Sequence, residues 1–143
     1  MYFLLQLDLL SILLCSAFRE IWSQIKSKIK QKQREISQRR MMESVKDATV
    51  VIKNPTHLAV AIKYIEGEMQ APRLLAKGAD NIALKIKEKA YESKIPIIEN
   101  KPLARLIYES VDIEKEIPQE MYQAVAEVLA MVYKLEKSQK GSR

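Results

Sequence analysis

Residues 50–64 read Val-Val-Ile-Lys-Asn-Pro-Thr-His-Leu-Ala-Val-Ala-Ile-Lys-Tyr, two apolar runs rich in β-branched residues around Asn54-Pro55-Thr56-His57. Such runs joined by four residues predict two strands around a tight connection. Pro55 fixes its own φ, lacks an N–H and pushes Asn54 towards extended geometry, so neither strand can absorb the pair. The join is therefore held in a loop at a strand end.

The chemistry of that loop is more specific than its shape. Asparagine ordinarily deamidates when the next backbone nitrogen attacks its side-chain amide, a route closed here because Pro55 carries no N–H. The reverse attack stays open: the side-chain nitrogen of Asn54 adds to its own main-chain carbonyl, closes a succinimide and expels Pro55 as a new amino terminus. Holding such an intramolecular attack in a productive geometry is worth up to roughly 7–11 kcal/mol in the best-oriented systems. His57, the only histidine of the chain, could take a proton from the amide or deliver one to the departing prolyl nitrogen. Thr56 could donate to the developing oxyanion or fix the loop. The same residues also satisfy a plainer reading, an Asn-Pro turn with Thr56 and His57 at its polar rim.

The rest of the composition narrows the function. A chain of 143 residues with 48% apolar and 29% charged residues has room for one domain with a sizeable core. One cysteine, Cys15, rules out an internal disulfide, and with one histidine it leaves no zinc cluster. Lys77-Gly78 lacks the remainder of a phosphate-binding loop, and no second histidine offers a triad. An enzyme acting on an external substrate is therefore not expected.

Residues 1–18 are apolar but interrupted by Gln6 and Asp8, short of the roughly 20 residues of a membrane-spanning helix. No basic stretch precedes them, so they make a poor signal peptide. They are expected to be a remnant of a longer chain or an artificial addition, disordered or packed against neighbours, the alternative being a short natural form with a weak membrane anchor. Residues 19–46 form a basic helix with Ile21, Ile25, Ile29 and Ile36 at helical spacing and a net charge of +6, equal to that of the whole chain. The remainder balances to zero. Such a helix suits an anionic membrane surface, at about 1 kcal/mol per cation. Nucleic acid is not expected as a partner, because Trp22 is the only aromatic residue among these charges.

Periodicity places strands at Thr49–Lys53, Leu58–Tyr64, Pro72–Ala76 and Ile95–Glu99, with a turn at Glu66-Gly67-Glu68. Ala59, Ala61 and Lys63 should face one side and Val60, Ile62 and Tyr64 the other. Asp80 is expected to cap a helix reaching Ser93, with Ile82, Ala83, Ile86 and Ala90 buried. Asn100 should cap the next helix, turning Leu103, Leu106 and Ile107 inward, and Pro118 should open the last, with Tyr122, Val125, Leu129 and Val132 on its apolar face. Strand, helix, strand in succession predicts parallel pairing of the third and fourth strands. The fold class is α/β: a single domain (47–135) with a four-stranded mixed sheet surrounded by helices, preceded by the basic linker helix and followed by a frayed polar tail (136–143).

Asn54-Pro55-Thr56-His57 between two strands, then Ala76-Lys77-Gly78-Ala79-Asp80, then 96–105 (Pro-Ile-Ile-Glu-Asn-Lys-Pro-Leu-Ala-Arg), then Ile117-Pro118 with 122–130, closely resemble the cytoplasmic domain of the FlhB/YscU family. These are export-switch proteins of bacterial type III secretion. The resemblance runs from about Lys26 to Leu135, and segments 77–90 and 122–135 favour the flagellar branch over the virulence branch. It implies self-cleavage between Asn54 and Pro55 with the pieces staying together, so that export switches from rod and hook to filament substrates, or from needle to translocators in the virulence branch. Implied partners are other export-apparatus proteins, the hook- or needle-length control protein, export substrates and the inner-membrane surface; no cofactor is implied. The implied location is the cytoplasmic face of the inner membrane, behind a four-helix membrane domain that this sequence does not carry. A docking module that never cuts itself is the alternative from another class.

Overall fold

The computed structural model describes residues 2–142, with side-chain burial from residue 9 onward, so Phe3, Leu4 and Leu5 lie outside the side chains described. Helix α1 (Tyr2–Ser44) is followed by strands β1 (Val50–Asn54), β2 (Leu58–Lys63) and β3 (Arg73–Ala79), helix α2 (Asn81–Glu92), strand β4 (Ile97–Glu99), and helices α3 (Lys101–Ser110) and α4 (Tyr122–Lys140). Single 3₁₀ turns occupy Val45–Asp47 and Gln119–Met121.

The chain divides into two compact units at Arg39/Arg40. The first is helical from Tyr2. Every side chain of α1 from Leu9 to Arg40 is exposed, the isoleucines at 21, 25, 29 and 36 included. Among the described residues no helix is long and apolar enough to cross a membrane.

The second unit is a three-layer α/β fold. Its sheet has the order β3-β2-β1-β4, with β1 antiparallel to β2, β2 antiparallel to β3, and β4 parallel to β1. One face carries Val50, Ile52, Val60, Ile62 and Leu74 against Leu103, Ala104 and Ile107 of α3 and Val125, Val128, Leu129 and Val132 of α4. The other carries Val51, Ala59, Ala61 and Ala76 against Ala83, Ile86 and Ala90 of α2, with Met41, Val45 and Ala48. Alternation along β2 is as expected from period 2. A register shift between Ala61 and Ile62 leaves Leu75 unpaired, so Leu74 and Ala76 face opposite layers despite standing two apart.

The expected pairing of the third and fourth strands is not found. They run in the same direction, as a crossover through α2 requires, but β4 joins the free edge of β1, two strands away from β3. The cause is burial: Val50, Val51 and Ile52 are all fully buried, so β1 needs cover on both faces and partners on both edges, which only a central strand obtains. The outer edge of β3 is instead covered by the 114–117 loop, through Leu74 N–H to the Lys115 carbonyl (3.0 Å), Glu114 N–H to the Leu74 carbonyl (2.7 Å) and Ile117 N–H to the Pro72 carbonyl (2.8 Å).

Three smaller expectations also change. Leu106 is 48% exposed, because Leu103, Ala104 and Ile107 already complete the inward stripe of α3. Helix α4 begins after a 3₁₀ turn rather than at Pro118, and it runs to Lys140. Pro96 lies just outside β4, its carbonyl accepting from Val51 N–H at 3.0 Å.

Helix α2 crosses β3 closely at Gly78. A Cβ there would fall on Ile82 Cγ2 and 2.7 Å from Ile82 Cβ. Gly78→Ala is expected to cost about 1–3 kcal/mol by overpacking. Adding Ile82→Ala should cost less than the sum of the two single changes, since it removes the obstacle; urea denaturation of both single variants and the double variant measures the coupling.

Candidate functional site

Asn54 is the last residue of β1 and pairs with Leu58, the first of β2, so Pro55, Thr56 and His57 form a three-residue loop between them. The neighbours differ sharply in exposure. Asn54 is only 6% exposed and is the one buried polar side chain among the described residues, whereas Pro55, Thr56 and His57 are exposed. A short polar residue is held inside because β1 is central: Lys53, just before it, gives its carbonyl to Asn100 N–H at 3.1 Å on the β4 side.

Thr56 fixes the Asn54 side chain. Its hydroxyl donates to Asn54 Oδ1 at 3.1 Å and its backbone N–H to the same oxygen at 3.4 Å. Two donors converging on one atom define it as the oxygen, which leaves Nδ2 as the unengaged end of the amide among the described residues. Donation to Oδ1 draws electron density from the amide nitrogen and makes its proton easier to remove. Thr56 thus holds the Asn54 side chain.

His57 is tied to the start of α2. Its Nδ1 lies 3.0 Å from Asp80 Oδ1, and its carbonyl accepts from Asp80 N–H at 2.9 Å. Asp80 was expected to cap α2 with its side chain. It stands at the cap position but makes no side-chain capping bond, because its carboxylate is turned to His57 instead. Its φ of 51° lies in the left-handed region, which costs a non-glycine residue about 1–3 kcal/mol. The pairing of Leu58 with Ala79 places residue 57 across from residue 80, so this contact follows once the β2/β3 register is known.

Lys77 belongs to no anion site. Its Nζ donates to the carbonyls of Val111 (2.7 Å) and Tyr108 (3.1 Å) at the end of α3 and lies 5.6 Å from the centre of the Tyr108 ring. The lysine serves as a cationic C-cap. Among the described residues no group of His, Cys, Asp or Glu could hold a metal ion.

The profile of the FlhB HrpN YscU SpaS Family matches residues 20–132, and the chain belongs to that family. It is 53% identical over 110 residues to the flagellar biosynthetic protein FlhB of Bacillus subtilis and 50% identical over 113 residues to that of Salmonella typhimurium. These alignments cover 77% and 79% of this chain but 31% and 30% of those proteins, so the chain spans about a third of the length of these relatives. The fold matches the crystal structure of the cytoplasmic domain of FlhB from Shewanella putrefaciens with a TM-score of 0.70 and 46% identity, covering 73% of this chain and 80% of that one. The resemblance is therefore to the flagellar branch. EscU C-terminal domains also match, one with a TM-score of 0.61 at 33% identity, covering 64% of this chain and 92% of that one. Among the solved EscU variants are ones that replace an asparagine, the proline after it, or a histidine two places beyond that proline.

The Lys77 geometry is checked directly. Lys77→Met should lower stability by about 1–3 kcal/mol, the range for hydrogen bonds to a charged group, with the fold retained; thermal unfolding followed by circular dichroism reads the loss.

Proposed function

We propose that this domain cuts its own backbone once, between Asn54 and Pro55, and that both pieces remain in one fold as a switch component of the flagellar protein-export apparatus. The observation that carries the reading is the buried Asn54 side chain at a strand end, its Oδ1 pinned by Thr56 and its peptide bond leading into proline. Nδ2 bonds to the Asn54 main-chain carbon while the C–N bond to Pro55 breaks. One proton passes from Nδ2 to the prolyl nitrogen with His57 as carrier, and water later opens the succinimide to a carboxy-terminal asparagine. No external substrate takes part, so this is a single turnover and not enzymatic catalysis. The EscU variants place asparagine, proline and histidine at the same spacing as Asn54, Pro55 and His57, which supports these residues as the site.

The fold supports the retention of both pieces. Strand β1 would stay between β2 and β4, with Val45, Val50, Val51 and Ile52 fully buried; each such side chain contributes about 1.5–3 kcal/mol. At the far end of the hairpin, Thr49 N–H donates to the Ile62 carbonyl at 2.8 Å, and the Thr49 hydroxyl both donates to the Tyr64 carbonyl and accepts from Tyr64 N–H at 3.0 Å. Cutting would change the loop alone, adding an ammonium and a carboxylate. We take that change as the signal by which export passes from rod and hook to filament substrates, read by other export-apparatus proteins and the hook-length control protein at the cytoplasmic face of the inner membrane. The basic residues of α1 would be drawn to that anionic surface.

Denaturing electrophoresis with intact-mass measurement tests the proposal. The unaltered chain should yield a piece running from Pro55 to Arg143, with both pieces co-eluting on native size exclusion, and Asn54→Ala should stay whole. One intact species from the unaltered chain would leave a docking module without cleavage. Thr56→Val should slow cutting roughly 5- to 10-fold, the equivalent of one hydrogen bond of about 1 kcal/mol. His57→Ala should slow cutting without abolishing it, and Pro55→Ala should slow or divert it into deamidation.

A further inference from the structure

Asp80 combines an adverse backbone with a side chain that contributes nothing to packing. Its torsions, φ 51° and ψ −114°, are those of the first central residue of a type II′ turn, a place normally taken by glycine. Its backbone is held at both ends, the N–H by the His57 carbonyl at 2.9 Å and the carbonyl by Leu84 N–H at 3.0 Å. The side chain is 74% exposed and does not cap α2. Glycine would fit these constraints with less strain, so the carboxylate needs a reason of its own.

The reason lies at His57, whose Nδ1 is 3.0 Å from Asp80 Oδ1. On an exposed three-residue loop an imidazole exchanges between two tautomers and several rotamers. A carboxylate at Nδ1 keeps the proton there and leaves the Nε2 lone pair as the base. We propose that Asp80 is the positioning residue of the self-cleavage site: it fixes the tautomer and direction of His57, which moves the proton from Asn54 Nδ2 to the Pro55 nitrogen. The inference rests on the self-cleavage reading and adds a residue 26 positions beyond Asn54 to it. Nucleophile, proton carrier and orienting carboxylate then come from the end of β1, the loop and the β3/α2 junction, so the site is complete only when β2 and β3 have paired.

Freshly translated Asp80→Asn and Asp80→Gly chains, followed by denaturing electrophoresis, should cut roughly 10- to 100-fold more slowly than the unaltered chain. The Gly variant should melt no lower, since glycine suits the torsions. The second measurement is ¹⁵N NMR of the His57 imidazole in the Asn54→Ala background. The Nδ1–H form should dominate with Asp80 present and give way to Nε2–H with Asp80→Gly. Cutting at the unaltered rate in either variant overturns the proposal, and so does an unchanged tautomer in a slow variant. An unaltered chain that never cuts overturns the cleavage reading and this one with it, whereas a chain that cuts and is indifferent to Asp80 overturns this one alone.

Discussion

Strand β1 is held on four sides at once. It is hydrogen-bonded to β2 along one edge and to β4 along the other, and it is covered by α3 and α4 on one face and by α2 and the end of α1 on the other. A strand so enclosed must be apolar throughout, and Val50, Val51 and Ile52 meet that demand with no exposed surface. The cost falls at its end, where Asn54 enters the same enclosure as a buried polar residue. Burying an amide is tolerable only when it is hydrogen-bonded, and Thr56 provides that on one side of the amide alone.

The two layers of the fold are unequal in a way that bears on the loop. On the α2 face the sheet presents Ala59, Ala61 and Ala76 beside Val51, mostly small residues that let the helix approach closely, as the crowding of Gly78 against Ile82 shows. On the α3/α4 face it presents Val, Ile and Leu, which carry most of the apolar volume. The β2/β3 register sets residue 57 opposite residue 80, and the start of α2 at Asp80 thereby comes beside the hairpin loop. The side chains of His57 and Asp80 are both largely exposed, so the contact itself contributes little to stability.

A self-cutting reading and a persistent fold place opposite demands on a chain, one needing a breakable link and the other an unbroken core. They are reconciled by location. The link is at the tip of a hairpin whose far end is closed by Thr49 and Tyr64, and whose first strand is also paired with β4. Loss of that one bond would leave the β1/β4 pairing, the Thr49–Tyr64 closure and the buried Val50, Val51 and Ile52 in place.

The local features were legible in the sequence. The hairpin, its alternation, the Asn100 cap and the placing of Asn54, Pro55, Thr56 and His57 at the hairpin tip follow from proline stereochemistry and period-2 patterning, both of which act within a few residues. What only the tertiary structure decided were choices between distant partners: β4 beside β1 rather than β3, Asp80 turned to His57 rather than to its own helix, Lys77 spent on the end of α3, and Leu106 left outside. Each depends on which edges, carbonyls and faces remain free after the rest of the chain has packed. A repeating pattern along the chain states that a surface must be covered, and the closed core determines by what.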